Sequence, residues 1–275
     1  MSNPILNESR FNKLRERTAG DAGWGVGSGQ PANTWAPPIN DGPVSPHHPG
    51  VMTVSGTASA SMVLFALLLV SAAVGWIAVA EPQSGVSPVI PPMAFVGAII
   101  GFIAVMVTVF KPMTSHILGP VYAVGQGLFV GALSKMFDAT YSGIVVQAVG
   151  TTLAVFGVML FLYRTRILRV TDKFRRIVIG ATLGVMVFYL ASFVFSMFGA
   201  NVSFLSSSSG VGILFSLFVA GLAAFNLALD FDFIERGEAM GLPRRMEWFA
   251  ALGLLVTLVW LYLEVLRLLA KLRER

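Results

Sequence analysis

Asn226 to Gly237 reads NLALDFDFIERG, and this stretch decides how the rest of the chain is interpreted. It places three acidic residues, Asp230, Asp232 and Glu235, directly after a long apolar run. A carboxylate surrounded by lipid is expensive, so acids in such a place either lie at a membrane boundary or serve a function inside the protein. The surrounding sequence has to show whether lipid is present.

The composition predicts a membrane protein. Hydrophobic residues make up 55% of the 275 residues and charged residues only 12%, and the mean hydropathy is +0.76. These values are too apolar for an ordinary soluble domain of this length. Cysteine is absent, which excludes disulfides, thiolate nucleophiles and cysteine-based metal centres.

Motifs for enzymatic chemistry are missing from the sequence. It contains neither an HExxH zinc pair nor a GxxxxGK[ST] phosphate loop, and the serines at 206–209 have no neighbouring His or Lys to activate them. The net charge of +5 comes from cations at the ends of apolar runs, where they orient a membrane protein or meet anionic headgroups. We therefore expect no enzyme, no cofactor and no nucleic-acid partner.

The chain divides into a polar tail and a membrane domain. Residues 1–56 are rich in Gly, Pro, Ser and Asn, which predicts a disordered cytoplasmic tail. Residues 57–275 hold seven apolar runs, each near the ~20 residues that cross a bilayer as a helix. This predicts an all-α membrane protein, a seven-transmembrane helix bundle. The runs are 59–80, 90–110, 116–136, 142–163, 175–199, 209–230 and 247–269.

The basic residues predict the orientation. The connection RTRILRVTDKFRR is rich in Arg and Lys, whereas EPQSGVSPV and NVSFLSSSSG carry none, so the former is expected in the cytoplasm together with the N-terminus. Seven spans then place the C-terminus outside, although it is basic. The cations in question are Arg267, Lys271, Arg273 and Arg275.

Glycines four residues apart predict close helix packing. Such pairs let two backbones approach where lipid supplies no hydrophobic driving force. The pairs are Gly97 and Gly101, Gly127 and Gly131, and Gly180 and Gly184.

The three acids of the opening stretch face different ways on a helix. At 100° per residue, Asn226 and Asp230 share one face, while Asp232 and Glu235 share another. For Glu235 the favoured interpretation is a solvated ion pair with one of the nearby arginines, Arg236, Arg244 or Arg245. For Asp230 and Asp232 a solvated position and a cavity-facing position are equally supported.

Four segments together resemble the Bax inhibitor family (transmembrane Bax inhibitor motif proteins), most closely its bacterial branch with a long Pro/Gly-rich N-terminal tail. The segments are YAVGQGLFVGALS (122–134), VVQAVGTTLAVFGVMLFLYRT (145–165), FDFIE (231–235) and LYLEVLRLL (261–269). The resemblance covers about residues 52–272. It implies a bacterial plasma-membrane bundle with the seventh helix at its centre, and a pH-sensitive calcium leak controlled by carboxylates on the sixth and seventh helices.

The resemblance carries over only in part. The sixth-helix aspartate of the family falls on Asp232, or on Asp230 if the register shifts by two, and the seventh-helix aspartate falls on Thr257. An acid often found in the third helix is here Gln126. Two facing carboxylates share a proton because both cannot ionise cheaply, and Thr257 provides no such partner. The pair is incomplete unless Glu247 or Glu264 substitutes from the seventh helix.

Calcium handling is expected to be weak. Calcium takes six to eight oxygen ligands, so Asp230 and Asp232 predict a transient contact rather than a storage site. Glu247 is also interpretable as a first-turn acid favoured by the helix dipole, and Glu264 as an i,i+3 partner of Arg267. The expected ion path or gate comprises Asp230, Asp232, Asn226, Thr257, Glu247 and Gln126.

Three functions remain open from the sequence. The first is a pH-modulated passive cation leak of the plasma membrane, with calcium as the expected ion, gated by the sixth-helix carboxylates. The second is a non-conducting regulatory partner of another membrane protein, such as a quality-control protease. The third is a small-solute exporter with an apolar central cavity. A monomer in the lipid bilayer is the expected state.

Overall fold

The computed structural model describes residues 50–79, 91–198 and 208–274, and in them it contains seven long α-helices. All seven are long and apolar enough to cross a membrane, which confirms the predicted seven-helix bundle. Residues 1–49, EPQSGVSPV and most of NVSFLSSSSG lie outside the described residues. The helices are α1 (Val54–Ala78), α2 (Pro92–Phe110), α3 (Ser115–Thr140), α4 (Ile144–Arg164), α5 (Asp172–Met197), α6 (Gly210–Ala239) and α7 (Met246–Arg273), with a 3₁₀ turn at Pro112–Thr114.

Hydrogen bonds define two ends of the bundle. The start of α1, the α4–α5 connection and the α6–α7 connection meet at what we call the near end. The end of α7 meets the α3–α4 connection and the start of α6 at the far end. The two ends therefore hold different sets of charged side chains.

Helix α7 is the central element of the bundle. It contacts α1, α3, α4 and α6. Of its most apolar stretch 61% is buried, against 17% for α5. Its sequence is apolar on nearly all faces, as expected for a helix surrounded by others. The predicted central position of the last helix is confirmed.

Helix α3 packs closely against α1 through glycine. A Cβ atom at Gly131 would overlap the backbone carbonyl of Ala72, and one at Gly127 would overlap the side chain of Ser71. On a different face of α3, Gly97 of α2 lies against the α3 backbone. The predicted close packing is confirmed for these glycines because each has a neighbouring backbone or short side chain.

The prediction is wrong for Gly180 and Gly184. Both are exposed on α5, and a Cβ atom at either position would meet nothing within 4 Å. The buried face of α5 is a different one, where Val178 and Val185 pack with residues of α6. Four-residue spacing permits a close approach, but only a partner helix on that face produces one.

Helix α6 is longer than predicted. The sequence places its end at residue 230, whereas the helix continues to Ala239. Two of the three acids in that stretch, Asp232 and Glu235, are paired with arginines, so the helix continues past them. Asp230 and Asp232 consequently lie within the helix rather than at its end.

Residues 50–53, here the N-terminal strap, bind the α6–α7 connection. Val51 forms an antiparallel bridge with Pro243, and the Met52 amide donates to the Leu242 carbonyl at 2.7 Å. Met52 is fully buried. The strap belongs to the segment predicted as tail, and helix α1 follows it directly at Val54.

Candidate functional site

Asp230 lies in the contact between α6 and α7. Its Oδ2 atom is buried and has no hydrogen-bond partner within the described part of the chain. The side chain of Thr257 is its polar neighbour on α7, and the Thr257 hydroxyl donates to the Gly253 carbonyl at 3.1 Å. A Cβ atom at Gly253 would lie 3.7 Å from Asp230 Oδ1, an ordinary van der Waals contact, so Gly253 lies directly beside the carboxyl group. This seam therefore contains a carboxylate with one unused oxygen.

Asp232 is held by two arginines. Arg175 of α5 donates to its Oδ2 at 2.5 Å, and Arg236, one turn later on α6, donates to its Oδ1 at 3.0 Å. The residue is only 7% exposed. Asp232 thus has a fixed pair of counter-ions, and the structure does not bring it together with Asp230 or Thr257.

Glu235 accepts hydrogen bonds from two groups of the α4 region. They are the hydroxyl of Tyr163 and the guanidinium of Arg166. Glu235 forms an ion pair as expected, but its partner is Arg166 of the α4–α5 connection and not Arg236, Arg244 or Arg245. Only the folded arrangement brings Arg166 within reach.

Asn226 and Gln126 lie away from the Asp230 seam. The Asn226 amide donates to Thr182 Oγ1 of α5 at 2.8 Å and to the Leu222 carbonyl at 2.9 Å. Gln126 lies against Gly101 in the contact between α2 and α3. The six residues of the expected ion path are therefore distributed over several helix contacts.

Glu247 binds Thr53, the N-cap residue of the first helix. Its Oε1 accepts from both the amide and the hydroxyl of Thr53 at 3.0 Å, and the residue is 5% exposed. Arg244 lies 3.7 Å from its other oxygen. A Cβ atom at Gly56 would overlap the Glu247 carboxyl group. Glu247 therefore contacts α1 instead of facing Asp230 across the seam.

Helix α7 carries a second buried carboxylate, which the sequence argument treated as a local ion pair or as a substitute for the missing seventh-helix acid. Glu264 is 2% exposed, and its Oε1 accepts from Arg267 at 2.8 Å and from the Tyr189 hydroxyl at 2.9 Å. Its Oε2 has no hydrogen-bond partner within the described part of the chain. The carboxyl group is thus only half satisfied by the protein.

Thr257, Glu264 and Lys271 occur at seven-residue intervals and share a face of α7. Lys271 is 4% exposed and donates to the Gly212 carbonyl at 3.1 Å and to Ser216 Oγ at 2.9 Å. This spacing of polar residues in an apolar helix is a signal that was available in the sequence.

Two further charged residues at the far end, Arg273 and Glu274, have hydrogen-bond partners at exposed positions. Arg273 donates to the Ser142 carbonyl at 2.8 Å and to Gln147 at 3.0 Å. The Tyr141 hydroxyl donates to Glu274, and this bond raises the pKa of Tyr141 above its ordinary value. Three of the four basic residues at the end of α7, Arg267, Lys271 and Arg273, therefore have partners within the protein, and the orientation stays a prediction.

The site offers single carboxylate oxygens rather than a preformed metal cage. Among residues 50–79, 91–198 and 208–274, no three His, Asp or Glu side chains converge as metal ligands. Asp230 Oδ2 and Glu264 Oε2 are the buried side-chain atoms without a partner in those ranges. Such isolated acceptors suit brief contact with a cation or a proton.

A comparison with known proteins bears on the whole chain. A family model described as Bax inhibitor 1 like matches residues 3–274. No curated protein and no solved structure matches the chain.

Proposed function

This chain belongs to the Bax inhibitor 1 like family, and we propose that it is a pH-modulated passive cation leak of the plasma membrane, with calcium as the ion and Asp230 as the gate. The observation that carries the proposal is the buried, unpartnered Oδ2 of Asp230 in the seam between α6 and the central helix. A carboxylate at this depth is costly, and its unused oxygen is available to a passing ion.

The path runs along the polar face of α7. It begins where Asp230 lies beside Thr257 and continues to Glu264. Glu264 follows Thr257 by seven residues on the helix, or about 10 Å at 1.5 Å per residue. Asp230 and Glu264 each contribute one carboxylate oxygen that has no hydrogen-bond partner in the described part of the chain. Calcium prefers six to eight oxygens, so it binds weakly at either carboxylate and is released, as conduction requires.

The charge of Asp230 supplies the dependence on pH. As a carboxylate it attracts a cation, and as a carboxylic acid it does not. Asp232 has a different role in this mechanism, because Arg175 and Arg236 both bind it. It acts as a fixed counter-ion that holds the end of α6 against α5.

Calcium flux into proteoliposomes tests the proposal. Wild type, Asp230→Asn and Asp232→Asn are compared from acidic to mildly alkaline pH. We expect wild-type flux to change with pH and Asp230→Asn to abolish that change, since an amide does not titrate. Asp232→Asn leaves the titrating Asp230 in place and is expected to keep the pH dependence, although the loss of its ion pairs changes the absolute flux. Wild-type flux no greater than that of empty liposomes at every pH would refute the leak.

A regulatory role without conduction is the second candidate. It is favoured by the ion pairs of Asp232 and Glu235, which engage two of the three acids in the decisive stretch. An exporter is the third, and the feature that favours it is an apolar cavity of about 270 Å³ between α1, α3, α4 and α7. Absence of flux together with stable co-purification of a membrane protease would select the regulatory role.

A further inference from the structure

A polar cleft opens at the near end of the bundle. It lies between the α4–α5 connection and the last turns of α6, and its volume is about 450 Å³. Its lining includes Arg166, Arg169, Asp232, Glu235 and Arg236. The cleft is distinct from the seam that contains Asp230.

Positive charge is in excess in this cleft. Three arginines line it, and a fourth, Arg175, reaches Asp232 from α5. The two carboxylates are already neutralised, Asp232 by Arg175 and Arg236, and Glu235 by Arg166. The cleft therefore has more guanidinium groups than carboxylates to balance them.

Arg169 accounts for part of the excess. Its Nε donates to the Arg166 carbonyl at 3.4 Å, a long bond that folds the side chain over the connection. Within the described part of the chain, Arg169 forms no ion pair with a carboxylate. Its guanidinium is exposed and remains available to an anion.

The backbone of the connection is arranged to display these side chains. Arg166 has a φ of 59°, in the left-handed region that a residue with a Cβ atom seldom adopts. Such a conformation persists where the surroundings impose it, and here the guanidinium is held by Glu235 and by the ring of Tyr163. The next residue, Ile167, is 69% exposed. An exposed isoleucine beside arginines is suited to a membrane surface.

We propose that this cleft binds the phosphate of an anionic phospholipid headgroup and that its occupancy regulates the Asp230 gate; the regulatory part rests on the proposed function. Guanidinium groups bind phosphate oxygens in a bidentate manner, which favours phosphate over a simple halide. Exposed Ile167 and the position at the end of three spanning helices favour a lipid over a soluble phosphate.

The link to the gate runs through Asp232. A phosphate in the cleft competes for Arg236 and Arg166, which now bind Asp232 and Glu235. Asp232 follows Asp230 by two residues on the same helix. Releasing one of its arginines loosens the end of α6 from α5 and changes the seam that contains Asp230.

Binding is tested by thermal unfolding of the full chain in a neutral detergent. The probes are short-chain dioctanoyl phosphatidylglycerol, the matching phosphatidylcholine and glycerol 3-phosphate. We expect stabilisation by phosphatidylglycerol, and a roughly tenfold weaker Kd for Arg169→Gln, because a lost charge-assisted hydrogen bond of about 1.5 kcal/mol corresponds to that factor. Equal binding of glycerol 3-phosphate would overturn the lipid as the source of the phosphate.

Arg176→Gln is the control, since it removes the same charge from an exposed position at the start of α5 that does not line the cleft. Equal weakening by both variants would overturn the site in favour of a general surface charge. Regulation is tested by calcium flux in liposomes with and without phosphatidylglycerol, where Arg169→Gln is expected to lose the lipid response. Binding without any change in a measurable flux would overturn the regulation, whereas absence of flux in all liposomes would count against the leak itself.

Discussion

At the scale of single residues, the contact between Asp230 and Thr257 determines what kind of titration the seam supports. The polar neighbour of the carboxyl group is a hydroxyl group, and Oδ2 has no hydrogen-bond partner within the described residues. Because a hydroxyl group carries no charge at either protonation state of the acid, we expect the proposed gate to titrate as one group. A pair of acids in the same place would titrate as a coupled unit.

Thr257→Asp is predicted to create such a unit. Two facing carboxyl groups would share a proton, and flux in proteoliposomes should then vary over a different and broader range of pH than in wild type. Thr257→Val removes the hydroxyl without adding an acid, so it controls for loss of the neighbour. A pH profile of Thr257→Asp identical to that of wild type would show that the two side chains do not face each other.

At the scale of helices, hydropathy predicted the existence of all seven because the apolar length of a span is a local property of the sequence. The end of α6 was not predictable in this way. It depends on Arg166 and Arg175, which come from another part of the chain and neutralise Glu235 and Asp232.

Helix periodicity also left the choice between Asp230 and Asp232 open. It separates their faces but does not identify the neighbour of each face. The role of Glu247 was hidden for a similar reason, since its partner Thr53 is 194 residues away in the sequence.

Gly131→Ala tests the close packing of α3 on α1. The added methyl group would meet the Ala72 backbone, which moves only with its helix, so overpacking should cost about 2 kcal/mol and lower the unfolding temperature. Gly150→Ala is the matched control, because that position on α4 has nothing within 4 Å of a Cβ atom. We expect the control to be neutral or stabilising by up to about 1 kcal/mol. Equal unfolding temperatures for the two variants would contradict the described packing.

At the scale of the whole molecule, seven spans place the near and far ends on opposite sides of the membrane. The absence of native cysteine makes this directly measurable. Met240, 65% exposed, marks the near end, and Phe198, 84% exposed, marks the far end. A membrane-impermeant maleimide added to intact cells should label Phe198→Cys, and should label Met240→Cys only after permeabilisation. Labelling of both variants in intact cells would exclude the proposed orientation.

The hydrogen bonds from Thr53 to Glu247 bear on how the chain is made. Thr53 leaves the ribosome early, and at 5–20 residues per second Glu247 follows it after roughly 10 to 40 s. During that interval the first helix already has its local N-cap, since the Thr53 hydroxyl accepts from the Gly56 amide, but Thr53 lacks its carboxylate partner and the N-terminal strap has no α6–α7 connection to bind. The contacts at the start of α1 are therefore complete only when the last helix arrives, and a chain interrupted before Glu247 leaves the Thr53 amide without its acceptor.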